Sequence, residues 1–225
     1  MKKLLMLCGT TAAVIYAGTV ILGALIRPGY SHLADAISEL VADGAPNRFL
    51  LSSLFLIYNL LLFAFGIGLF LEVKDQSRGR RSGFIGSLAL MLVGLAGISM
   101  ELAFPQDPGG TPVTFAGTMH LVMAGVASLG TMVAILFLAF WFRNFSALKH
   151  YVTYSLISVT MIFISGGLSV AAMANYHPLF GLIERVTIGT FILWLFVISR
   201  RMLQIEDTFS RQMHVAMVGS TPKGR

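Results

Sequence analysis

Six apolar stretches, at roughly 4–26, 49–72, 83–104, 115–142, 151–174 and 180–199, constrain the chain more than any other feature. About 20 apolar residues suffice to cross ~30 Å of hydrocarbon at ~1.5 Å per helical residue. A backbone placed in lipid must satisfy its own polar groups, so each stretch predicts a spanning helix. Charge punctuates them. Arg27 ends the first and Arg48 precedes the second. Lys74, Asp75, Arg78, Arg80 and Arg81 separate the second from the third. Pro105, Asp107, Pro108 and Pro112 break the chain before the fourth. Arg143 to His150 precede the fifth, His177-Pro178 the sixth, and Arg200-Arg201 end it. Only 12% of the 225 residues are charged and 56% are hydrophobic. A soluble domain carries about 25% charge, and a disordered chain more charge and less apolar surface. Both classes are excluded. The single cysteine, Cys8, rules out an intrachain disulfide and a cysteine-cluster metal site. The fold class is therefore all-α, a polytopic bundle of six transmembrane helices. Residues 1–202 form that domain and 203–225 a cytoplasmic tail.

The first stretch follows Lys2-Lys3, as a signal peptide would, but it outruns an h-region of about 7–15 residues. Leu7 precedes Cys8 where a lipoprotein cleavage site wants a small residue, so the segment reads as a retained helix. Basic residues gather in cytoplasmic loops, which sets the orientation. With the N-terminus inside, the inner segments hold 13 basic residues against Glu72, Asp75, Glu206 and Asp207, a net of +9. The outer side holds Arg27, Arg48 and Arg185 against Asp35, Glu39, Asp43, Glu101, Asp107 and Glu184, a net of −3. The basic character is a topology signal, with no nucleic-acid partner implied. Both termini are expected in the cytoplasm of a prokaryote, the protein sitting in the cytoplasmic (inner) membrane.

The outer loop 27–48 is the longest. Ser31 could cap a helix there and Gly44 close it. Leu33, Ile37, Leu40 and Val41 fall on one face, and His32, Asp35 and Glu39 on another. This pattern predicts a short amphipathic helix over about 32–42. The loop Pro105 to Pro112 reads as rigid, and Asn175 to Phe180 as tight. The tail 202–225 alternates polar and apolar residues before turning Gly/Pro/Lys-rich, and is expected to fray. Small residues recur within the spans: Gly83, Gly86, Gly94 and Gly97 in the third, Gly117, Gly125, Ser128 and Gly130 in the fourth, Ser165, Gly166, Gly167 and Ser169 in the fifth. They favour close helix packing, and leave room for a homo-oligomer through the same faces. There is no internal repeat of the kind many transporters show.

Ionisable groups at membrane depth cost ~2.5–3.5 kcal/mol each on insertion scales and need a partner or a purpose. Glu101, His120, Glu184 and Arg185 all lie toward the outer ends of their spans, and His32, Asp35, Ser38, Glu39 and Asp107 come from the loops above. These nine residues are the candidate binding cluster. Arg185 is expected to contact a carboxylate, Glu101 or Glu39 first. One reading is structural: interfacial side chains snorkel, pair or hydrogen-bond across helices. The other is a polar pocket that handles a lipid headgroup or small polar solute. In an enzyme, Glu39 or Glu184 would be the general base, Arg185 an anion clamp and His120 an acid or ligand. His32, Asp35, Asp107 and His120 offer the oxygen and imidazole donors a divalent metal takes, though in no recognised ligand spacing. A Walker loop, a G-x-S-x-G elbow and an H-E-x-x-H motif are absent. Paired membrane histidines for haem and a lysine inside a span for retinal are absent too, so no nucleotide, haem or retinal is expected. Three functions stay open: binding or action on a membrane lipid or small solute, a structural or accessory subunit, and a small-solute transporter.

Several segments together resemble one family. Pro28-Gly29-Tyr30-Ser31-His32, Ile37-Ser38-Glu39-Leu40 and Gly44-Ala45-Pro46 resemble the opening signature of the domain of unknown function 998 family. Phe104-Pro105-Gln106-Asp107 with His120 downstream, and Gly181-Leu182-Ile183-Glu184-Arg185, are similar to its later motifs. The resemblance covers about 1–202. Val41 stands where a Gly is expected after Ser-Glu-Leu. The resemblance implies a multi-pass membrane protein of bacteria or archaea without an assigned activity.

Overall fold

The computed structural model describes residues 1–219, with side chains through Thr208. Each apolar stretch forms a helix: α1 (Lys2–Ile26), α2 (Arg48–Asp75), α3 (Arg80–Leu102), α4 (Phe115–Phe142), α5 (Lys149–Ala174) and α6 (Phe180–Gly219). All six are long and apolar enough to cross a membrane, which makes this a multi-pass membrane protein. The first five follow the sequence expectation to within a few residues. α6 differs, because the helix runs past Arg201 to Gly219 and takes in most of the expected tail. The last residues of that tail, 220–225, lie outside the described part.

Consecutive helices are neighbours, and α6 returns to pack on α1, closing a ring. Its interior is filled by large side chains: Leu62 and Phe65 from α2, Leu138, Trp141 and Phe142 from α4, and Trp194, Leu195 and Ile198 from α6. The small residues of α3 permit this. A Cβ on Gly86 would come within 2.9 Å of the Leu138 backbone nitrogen, and one on Gly94 within 3.0 Å of the Asn59 carbonyl. Gly125 and Gly167 have nothing within 4 Å of that position, so the packing role belongs to α3 above all.

The connections 27–47, 103–114 and 175–179 share one end of the ring, called here the long-loop end. The N-terminus and the connections 76–79 and 143–148 share the other, the basic end. Acids at the basic end are tied to α1: Lys2 reaches Glu72 at 2.9 Å and Asp75 at 2.6 Å, and Lys3 reaches Asp207 at 2.7 Å.

The expected helix over 32–42 is not continuous. Ser31 and Asp35 bond the local backbone, and only two separate turns form: one α-turn closed by the Asp35 N–H on the Ser31 carbonyl at 2.8 Å, and a 3-10 turn, Ser38–Val41. Ile37, Leu40 and Val41 are buried against Leu51 and Phe55, as the apolar face predicts, whereas Leu33 is 52% exposed. Val41 itself needs no glycine. The left-handed residue that ends the segment is Gly44, at φ +74.

Candidate polar site at the long-loop end

The nine cluster residues do reach one end of the ring, but they separate into distinct groups. In the first, Arg185 of α6 holds the loop. Its guanidinium donates to His32 Nδ1 at 3.1 Å, to the Asp35 carbonyl at 2.9 Å, to the Gly181 carbonyl at 2.8 Å and to the Tyr30 hydroxyl. Tyr30 donates onward to the Ala36 carbonyl at 2.9 Å. Burial pushes its phenol up to about 12, with Arg185 pulling the other way. The expected carboxylate partner for Arg185 is therefore corrected. Its partners are backbone carbonyls, a phenol and an imidazole, and the ion pairs at this end are Arg27–Glu39 at 3.8 Å and Arg48–Asp43. Glu184 accepts from the Ile37 backbone N–H at 2.7 Å, and the Leu182 N–H donates to the Leu33 carbonyl at 3.0 Å. α6 thus takes backbone groups that a helix over 32–42 would have used itself.

The second group locks the loop to the α3–α4 connection. Glu39 pairs with Arg27 and accepts from Gln106 Nε2 at 3.3 Å, and the Gln106 carbonyl accepts from the Asp43 N–H at 2.9 Å. Asp107 is a turn organiser. It accepts from the Val113 and Thr114 N–H groups at 2.7 and 2.8 Å and from the Thr114 hydroxyl at 2.8 Å. Those bonds hold its carboxyl below the usual range. The small size of Gly117 allows this, since a Cβ there would sit 2.0 Å from Asp107 Oδ2. Asp35 accepts from the Ser31 N–H at 2.7 Å, and Ser38 opens the 3-10 turn.

The third group is different. Arg48 and Ser52 of α2, Met100 and Glu101 of α3, His120 of α4, and Val41, Pro105 and Gln106 from the loops line a shallow crevice, packed so closely that no water-sized space is left inside it. Glu101 accepts one hydrogen bond, from the Ser52 hydroxyl, and among the described residues no cationic side chain lies within 4.0 Å of it. His120 is 7% exposed, and its Nδ1 stands 2.8 Å from the Phe104 carbonyl. A carbonyl only accepts, so the proton of this bond is on Nδ1.

Of the four residues weighed as catalytic, Glu39, Glu184 and Arg185 are engaged in holding the loop, and His120 alone lines the crevice. The four weighed as metal ligands, His32, Asp35, Asp107 and His120, each bond a different partner. Among the described residues no three His, Cys, Asp or Glu side chains stand close enough to share an ion. Sequence reasoning missed Arg27, Tyr30, Ser52 and Gln106. Tyr30 and Gln106 lie inside the family-like segments, and Ser52-Ser53 is a polar pair one turn into an apolar span. Those were the available signals.

No curated protein and no solved structure matched the chain. Residues 10–201 match the family described as "Protein of unknown function (DUF998)". That match spans the ring from α1 to α6, including every segment of the long-loop end described above, and the chain belongs to this family of proteins of unknown function.

Proposed function

We propose that the protein binds a small polar group, a lipid headgroup or a small solute, at the mouth of the crevice between α2, α3 and α4 at the long-loop end. One observation carries this reading. Every other acid at that end is spent on a backbone N–H or a cation, while Glu101 faces the crevice with only a hydroxyl partner. A carboxylate at membrane depth without a cation is costly and marks a functional site by default. The test is native mass spectrometry of protein purified from its membrane, comparing wild type with Ser52→Leu. The leucine removes the hydroxyl partner of Glu101 and sets apolar bulk beside it. Wild type should carry a small molecule or lipid that the variant has lost, and identical adduct patterns overturn the reading.

A second reading, a structural or accessory subunit, is favoured by the Arg185 network, in which polar groups satisfy one another. The two readings concern different residues, so both can be tested in one protein. A transport path is the weakest of the three readings, because no Asp, Glu, Lys, Arg or His lies in the middle of any span.

A further inference from the structure

We infer that the Arg185–His32 contact is a proton-operated latch, which holds residues 30–36 of the loop against α6 at neutral pH and loosens them in acid. It is independent of the crevice and of what binds there. The bond itself dictates the protonation state. Arg185 Nε–H donates to His32 Nδ1 at 3.1 Å. A guanidinium has no acceptor, so Nδ1 must offer a lone pair and the ring must be neutral. An imidazolium carries a proton on both nitrogens. One added proton therefore turns the acceptor into a donor and sets a second positive charge against the first. His32 is exposed, so protons of the surrounding solution reach it.

No acid stands ready to receive that charge. Among the described residues, no carboxylate oxygen lies within 4.0 Å of the Arg185 guanidinium or of the His32 ring. The acids on the packed elements are engaged elsewhere. Asp35 Oδ2 accepts from the Ser31 N–H and Glu184 Oε2 from the Ile37 N–H, both at 2.7 Å, while Glu39 faces Arg27. Cations already crowd the Tyr30 ring. The Arg27 and Arg185 guanidiniums stand 5.8 and 5.5 Å from its centroid, and the His32 ring meets it edge-on at 5.6 Å. A protonated His32 is the third cation around one phenol. The other imidazole near this start of α6, His177, accepts from the Leu179 N–H at 3.2 Å and acts within its own turn. Arg185 also holds the Asp35 carbonyl at 2.9 Å and the Tyr30 hydroxyl. Three loop acceptors thus share one guanidinium, and repulsion at His32 works on all three.

Hydrogen exchange of the full-length protein in detergent tests this, comparing wild type with His32→Gln at pH 7.5 and at pH 5. Glutamine keeps a side-chain acceptor and gains no proton in this range. The ratio of the two proteins' rates at each pH cancels the intrinsic pH dependence of exchange. It also cancels titrations the two share, those of Glu184 and His177 included. Residues 30–36 should exchange alike in both proteins at pH 7.5. At pH 5 wild type should exchange there about fivefold faster than the variant, with the centres of α2 and α3 unchanged. A ratio that is the same at both pH values overturns the inference, as does a wild-type loop that tightens in acid relative to the variant. If His32→Gln is already loose at pH 7.5, His32→Ala takes its place as the permanently open latch. Wild type should then match it at pH 5 and exchange about fivefold more slowly at pH 7.5, and an equal ratio at the two pH values again overturns the inference.

Discussion

Arg185 shows what a single residue contributes and where sequence reasoning stops. Its depth and charge mark it as expensive, so its need for partners is legible. Its actual partners are not, because two of them are backbone carbonyls that every residue carries. Which carbonyls a fold presents depends on the turn, and the turn is tertiary. The neighbouring Glu184 points ~100° away on the helix and takes the Ile37 N–H instead. Hydrogen bonds from a charged donor contribute ~1.5–3 kcal/mol each and are not additive. Arg185 is only half-buried, so Arg185→Ala should cost on the order of 2–3 kcal/mol in total. Arg143, whose guanidinium stands 5.6 Å from the Phe140 ring centroid, serves as the control. Arg143→Ala should cost no more than ~1 kcal/mol. Thermal melts of the two variants in the same detergent decide it, and equal shifts would remove the loop-holding role. Arg185→Lys should recover only part of the loss, since an ammonium has three donors where four bonds are made.

The loop 27–47 is the element whose form departs most from its sequence pattern. Its apolar periodicity is helical and correctly marks Ile37, Leu40 and Val41 as buried. The periodicity gives the buried face but not the backbone, because helix formation needs free N–H and C=O groups. Here Ser31 and Asp35 bond the backbone locally, and α6 claims the Leu33 and Asp35 carbonyls and the Ile37 N–H. Each claim removes a rung from the helical ladder, and a single α-turn at Ser31–Asp35 and one 3-10 turn are what remain. It follows that the loop's order depends on α6. Glu184→Ala leaves the buried Ile37 N–H without an acceptor, a cost of ~1–3 kcal/mol. Hydrogen exchange should then speed up across 30–42 while the centres of α2 and α3 stay protected. Unchanged exchange in the loop would mean that α6 does not hold it.

At the scale of the whole molecule, the six-helix ring was legible because lipid admits so few solutions. Length and apolar content select spanning helices, and short connections make consecutive helices neighbours. The sharing of one end by three loops then follows from counting spans. The crevice was less legible. Glu101 and His120 were visible as polar groups at matching depth, but separating the one acid without a backbone or cationic partner from those that have one required the loop's hydrogen bonds. Orientation in the membrane follows from the same ring. Cations at the long-loop end are spoken for: Arg27 with Glu39, Arg48 with Asp43, Arg185 with the loop. At the basic end, Arg78 in the α2–α3 connection and Arg80 and Arg81 in the first turn of α3 are exposed, and Arg80 lies 5.6 Å from the Phe84 ring centroid, as interfacial arginines do. The Lys and Arg residues gather at the basic end as the sequence totals expect, so the basic end should face the cytoplasm. Single cysteines report this in a Cys8→Ser background. Gly79 and Gly110 are unsuitable positions, since both are left-handed and a Cβ on Gly79 would lie 2.5 Å from Asn144 Nδ2. Exposed Ser77 and Thr111 in the same two connections are free of that strain. A membrane-impermeant maleimide added to intact cells should label Thr111→Cys and spare Ser77→Cys until the membrane is opened. Labelling of Ser77→Cys alone would invert the molecule, and equal labelling of both would mean that the charge asymmetry does not fix one orientation.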